Sequence, residues 1–182
     1  IYGLNYLGPW KSSEASEAAK YGMVPGDARY EDLNGDHVID ASDYKIIGYG
    51  MPKTTMGWNT NFSYKNLSVN MFWQGTFGND KLNYNRCINM MASRDVTGAR
   101  FSEIKERWTP ENQDAFLPAW SETSKWYPVS SLWLEKGSYV RLKNLSLAYN
   151  FNVKKFGNFT VSLNATNLFT ITKYKGIDPE AS

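Results

Sequence analysis

TMGWNTNFSYKNLSVNMFWQG, residues 55–75, decides the fold. Trp58, Thr60, Phe62 and Tyr64 fall on one side of an extended chain, and Gly57, Asn59, Asn61 and Ser63 on the other. After Lys65-Asn66, the set Leu67, Val69, Met71 and Trp73 alternates with Ser68, Asn70, Phe72 and Gln74. Period-two patterning in both arms of a two-residue turn predicts a β-hairpin. Its polar face carries no charge. Asn, Ser and Gln there suit a water-filled interior as well as an ordinary surface.

A second hairpin is predicted over residues 139–169. In YVRLKNLSLAYNF the apolar phase slips between Leu142 and Leu145, which signals a bulge. A short turn, NVKKFGN, follows, and then Phe159, Val161, Leu163 and Ala165 alternate with Thr160, Ser162, Asn164 and Thr166. Between the hairpins, residues 76–138 form a connection too long for a simple turn, and such loops are usually functional. Within it, Phe101, Ile104 and Trp108 of FSEIKERW sit at helical spacing. Residues 1–53 read as a further loop region, with a short helix in SSEASEAAKYG capped by Ser12 and Ser13 and closed by Gly22. Pro25-Gly26 then marks a turn.

Alternating short turns and long loops is the layout of an outer-membrane β-barrel, whose strands need roughly ten residues each. A soluble β-sandwich shares the alternation and stays open as an alternative. The fold class is therefore all-β with short helices in loops, read as about four long antiparallel strands of a partial barrel. Four strands cannot close a barrel, for which about eight is the minimum, so the barrel reading makes the chain a piece of something longer. The missing initiator Met agrees with that expectation.

Composition narrows the function. Aromatics make up 15% of the chain, yet mean hydropathy is −0.52. That combination fits a carbohydrate-binding surface or a barrel with aromatic girdles and a wet interior. A net charge of +2 gives no electrostatic footprint for nucleic acid. No apolar run is long enough for a transmembrane helix. One cysteine, Cys87, excludes a disulfide framework. The single histidine, His37, lies in an acidic loop, so no general base is left for a Ser/His/Asp or Cys/His device, and no enzyme is expected. No glycine loop able to cradle phosphate is present. Asn61-Phe62-Ser63 is a by-product of a strand face.

The acidic loop is DLNGDHVIDASD, residues 32–43. Asp32, Asn34, Asp36, the carbonyl of Val38, Asp40 and Asp43 match positions 1, 3, 5, 7, 9 and 12 of an EF-hand-type calcium loop. Ile39 can anchor it to a core. His37 replaces the usual glycine at position 6, and Asp43 the usual Glu at position 12. The expected role is a structural calcium staple, against an Asx-rich surface turn without metal.

Four blocks together resemble the SusC/RagA family of TonB-linked outer-membrane transporters. They are residues 25–80, RWTPEN at 107–112, SSLWLEKGSYVRLKNLSLAYNF at 130–151, and VSLNATNLFTITKYKGIDPE at 161–180. In that family they occur in this order near the C-terminus of a much larger protein, and the last strand expected there is absent after Ser182. The resemblance implies a closed, plugged barrel in the bacterial outer membrane. It also implies a SusD-like surface lipoprotein as lid, energy from TonB through a segment outside this sequence, and a glycan or peptide substrate. It puts the calcium-like loop and residues 76–138 outside the cell, with Trp108, Trp120, Trp126 and Trp133 as candidates for stacking on sugar, against ordinary aromatic packing within the loop, which is the commoner role. The alternative is a secreted, calcium-bearing β module that binds carbohydrate or docks to a partner. The two readings differ at Trp58, Phe62, Leu67, Val69, Val161 and Leu163, which face lipid in the first and a second sheet in the second.

Overall fold

The computed structural model describes residues 1–90, 101–120 and 127–180. The strands are β1 (Tyr2–Gly3), β2 (Tyr6–Pro9), β3 (Ala28–Tyr30), β4 (Lys45–Ile46), β5 (Thr54–Tyr64), β6 (Leu67–Phe77), β7 (Asp80–Leu82), β8 (Leu134–Lys136), β9 (Tyr139–Val153) and β10 (Gly157–Thr172). Two short helices, α1 (Ala15–Lys20) and α2 (Tyr84–Met90), complete the main elements. The chain divides into two compact units, one of residues 1–49 and 81–135, the other of residues 50–80 and 136–182.

The second unit is a four-stranded antiparallel meander in the order β10-β9-β6-β5. Its strands run 11, 11, 15 and 16 residues, longer than the pattern alone indicated. Lys65 turns the first hairpin at a φ of 51°. The second turn closes with Phe156 N–H on the Val153 carbonyl, followed by Gly157 at a φ of 97°, a conformation that costs glycine nothing.

Register carries the alternation across the sheet. Phe62 opposes Val69, Val69 opposes Leu147, and Leu147 opposes Leu163. On the other face Asn61, Asn70, Ser146 and Asn164 form one row. The predicted bulge is present. Phe72 pairs with Asn144 but Trp73 with Leu142, which leaves Lys143 extra and keeps Leu142 and Leu145 on one face. β10 answers with its own irregularity at Asn167 and Leu168, where Asn167 has a φ of 51°.

The apolar face is bare. Trp58 is 66% exposed and Leu163 64%, and Phe62, Leu67 and Val161 are exposed as well, while Val69 is half-buried. Among the described residues no second sheet covers it, which removes the support for the sandwich alternative.

The first unit works differently. Leu4, Tyr6, Ala28, Tyr30, Cys87, Met90, Leu117, Leu132 and Trp133 form one buried cluster. Regions read as separate loops thus share one core. β2 pairs with β3, and β1 with β4. The first helix is a 3-10 turn over Ser12–Glu14 that runs into α1. Ser12 and Ser13 lie inside it and do not cap; the Glu14 carboxylate accepts Lys11 N–H instead. Gly22 ends α1 at a φ of 66°, with Met23 N–H on Ala18 O and Gly22 N–H on Ala19 O, a Schellman closure. FSEIKERW forms a 3-10 helix over Ser102–Glu106, shorter than an α-helix, and Trp108 lies beyond it.

Candidate functional site

Three features bear on function: the acidic loop, the tryptophans, and the two faces of the sheet.

The loop 32–43 folds as a chain of Asx turns. Asp32 accepts N–H groups from Gly35 (2.7 Å) and His37 (3.0 Å), and Asp36 accepts Val38 N–H at 2.8 Å. Asp43 is fully buried and accepts from Leu33 and Asp40 N–H at 2.8 and 3.0 Å. His37 takes a φ of 63°, the conformation the glycine position requires, and its ring meets Tyr21 edge-on at 4.9 Å. Ile39 packs against the core cluster, and its carbonyl accepts the Tyr127 hydroxyl at 3.0 Å. Burial pushes the Asp32 carboxyl up, but the Gly35 and His37 amides and the Tyr21 hydroxyl outweigh it and hold its pKa below the usual value. The loop is therefore closed by hydrogen bonds that its own carboxylates accept. Among the described residues no three His, Cys, Asp or Glu side chains come together as a metal-holding group.

The tryptophans separate by burial. Trp133 is fully buried, its indole N–H donates to Tyr127 O at 3.2 Å, and Arg86 lies over its ring. Trp108 is buried too, its ring close against Gly26, where a Cβ would clash with it. For these two, burial favours packing over stacking. Trp120 is 44% exposed and keeps a reachable ring. Trp126 lies outside the described residues.

Cys87 is an inert core thiol. It is fully buried, and burial pushes its pKa up to about 11.

The sheet offers two chemically distinct walls. One presents Trp, Phe, Leu, Val and Tyr. The other presents Asn59, Asn61, Ser63, Asn70, Asn144, Ser146, Thr160, Ser162 and Asn164. The polar wall is neutral until Arg141, which is in register with Gln74 and Thr170 near the end that leads to residues 76–138. Arg141 is buried and donates from Nε to the Thr170 hydroxyl (2.7 Å), from one terminal nitrogen to Glu180 (2.6 Å) and from the other to Asp178 (2.5 Å). Sequence reasoning missed this cluster. Its signal was a lone Arg on an otherwise neutral face, with DPE thirty-seven positions beyond it. A strand with one lipid-compatible face and one hydrated face is what a barrel wall in a bilayer requires, since every backbone group is satisfied within the sheet.

No protein-family profile matches the chain. Over 188 residues, 99% of its length, it is 37% identical to TonB-dependent receptor P26 of Formosa agariphila, of which it spans 19%. It is 34% identical over 190 residues to TonB-dependent receptor P3 of the same organism, spanning 18%. The chain thus covers about a fifth of the length of these curated relatives. Among solved structures, the RagAB peptide transporter superposes on all of this chain and 20% of its own, with a TM-score of 0.79 and 26% identity. The RagAB peptide importer in its open-open state gives a TM-score of 0.73, also at 26% identity. Homology along the whole sequence and the shared two-faced meander lead to one conclusion: the chain belongs to the TonB-dependent receptors of the SusC/RagA family, and its four-stranded sheet is a section of such a receptor's β-barrel wall.

Proposed function

We propose that this chain is part of an outer-membrane importer that takes up glycans or peptides with energy from TonB, working with a SusD-like surface lipoprotein. The observation that carries this reading is the sheet's division into a bare apolar face and a neutral hydrogen-bonding face, kept in register across four strands. The first suits lipid and the second suits water. The likeness to the RagAB peptide transporter supports import and a two-component assembly, and favours a peptide within the glycan-or-peptide class. Its relatives are named as receptors, which favours a receptor over an enzyme.

The test is the parent receptor in cells. Recovery in the outer-membrane fraction, a gel shift on heating, co-purification of a lipoprotein, and loss of growth on one polymer class on deletion are the expected outcomes. A soluble species would overturn the reading.

Calcium at residues 32–43 is a second proposal. The register of Asp32, Asn34, Asp36, Val38, Asp40 and Asp43 and the positive φ of His37 support it. The hydrogen-bonded carboxylates weigh against it. Slower amide exchange across the loop in calcium than in chelator supports the metal; identical exchange overturns it.

A further inference from the structure

The segment after β10 turns back to the sheet at several points while Ile177 stays 92% exposed. Tyr174 N–H donates to the Thr172 hydroxyl at 3.0 Å, and Pro179 is buried. Asp178 and Glu180 both reach Arg141. Lys143, the extra residue of the β9 bulge, donates to both oxygens of Glu180 at 2.8 and 2.7 Å. Because Arg141 also holds Thr170, its side chain stands on the neutral polar face, so Asp178 and Glu180 lie over that face too.

The arrangement is unusual energetically. The Arg141 side chain is only 7% exposed, and a buried guanidinium without partners is costly, so all of its partners matter. Two of the three acceptors come from one short segment. The Asp178 carboxyl is held below its usual range by Arg141 first and by the Glu180 N–H second, against the opposing effect of burial. Lys143 is available only because the bulge at that point re-aims a side chain.

We propose that residues 173–180 form a strap latched across the polar face by Arg141 and Lys143, a two-position element that narrows the space along this part of the wall when closed. The latch itself stands on the geometry of the sheet. Its effect on passage rests on the importer reading, and the experiment below separates the two.

In the full-length receptor, amide exchange is followed across 173–180 and across β9 and β10. R141Q is expected to speed exchange in 173–180 by roughly tenfold, because the carboxylates are partly exposed and screened, and to leave β9 and β10 unchanged. The pair D178N/E180Q, which leaves Arg141 in place, is expected to do the same. Added salt is expected to speed exchange of 173–180 in the wild type and not in R141Q. Unchanged exchange in both variants would overturn the latch, and so would loss of protection that spreads through β9 and β10. These readouts do not involve transport, so a failed importer reading would leave them standing, and a failed latch would leave localisation and uptake as they are.

Discussion

Two units of one chain use the same aromatic-rich composition in opposite ways. Residues 1–49 and 81–135 hide it: Leu4, Trp133, Cys87 and Met90 are sealed from solvent in a unit whose strands are only two to four residues long. Residues 50–80 and 136–182 display it: Trp58, Val161 and Leu163 stand out from strands of 11 to 16 residues. In the first unit some polar tips of buried aromatics find partners inside, as with Tyr6 Oη on Phe116 O and Trp133 Nε1 on Tyr127 O, while the indole N–H groups of Trp10 and Trp108 are buried without one among the described residues. In the second the polar groups are sorted onto the opposite face of the same strands. The difference teaches what each surface meets. A unit surrounded by water must bury apolar area, whereas a contiguous exposed apolar face is a mark of an interface or a membrane.

The hardest test of this contrast is Trp133→Ala. Removing a fully buried indole is expected to cost about 3–5 kcal/mol in the first unit. Cys87, in the same cluster, reports it: the thiol should become reactive in the variant while it stays inert in the wild type. Amide protection in β5, β6, β9 and β10 should hold. If those strands loosen equally, the units are one cooperative body and the contrast fails.

Next comes a pair of neighbours on β10. Leu163→Arg places a charge on the apolar face and is expected to cost about 2–4 kcal/mol if it lies near the bilayer midplane. Asn164→Arg, one residue on, faces the polar side and should be nearly neutral. The fraction of heat-shifted, membrane-assembled receptor measures both. Equal losses would mean that the two faces do not meet lipid and water.

The same contrast explains what was legible in the sequence. The sheet was, because period two is local: Trp58 to Tyr64 and Phe159 to Ala165 announce their faces without any distant partner. Even the bulge at Lys143 was written in the slip between Leu142 and Leu145. The first unit was not legible, because its contacts span the chain. Tyr6 meets Phe116 across 110 positions and Ser131 across 125. No period encodes such pairs, so the sequence left Trp108 and Trp133 open between a stacking surface and packing, and burial shows them packed. FSEIKERW read as helical because its apolar spacing is satisfied equally by one 3-10 turn followed by a loop that seats Trp108 N–H on Leu117 O. In the acidic loop the spacing of carboxylates was visible, and so was the Asx-turn alternative that the backbone N–H groups of Gly35, His37 and Val38 take up.

A smaller effect is expected from Asp43→Ala. The buried carboxylate serves two amides, so its removal leaves Leu33 and Asp40 N–H without an acceptor. About 1–3 kcal/mol of local stability should be lost. Amide exchange should quicken in residues 32–43 alone. Spread into the Trp133 cluster would show that the loop is part of the first unit's core and no appendage to it.

The mildest probe is acid, and it reaches both units without a mutation. Asp32 in the first unit and Asp178 in the second each have a folded-state pKa below the ordinary 3.8. A carboxyl lowered on folding stabilises the folded form at every pH above its unfolded value, and that contribution is lost as pH falls through the folded value. Protection factors in 32–43 and 173–180 should therefore be flat from neutrality down to about pH 4 and decline below it. The cluster around Trp133 rests on apolar packing and should outlast both segments. If acid opens the core first, titrating groups support it, and the division between a packed unit and a two-faced wall needs redrawing. If the two segments loosen together and first, each unit is a rigid body edged by one carboxylate-held element, and those elements are where the chain is able to move.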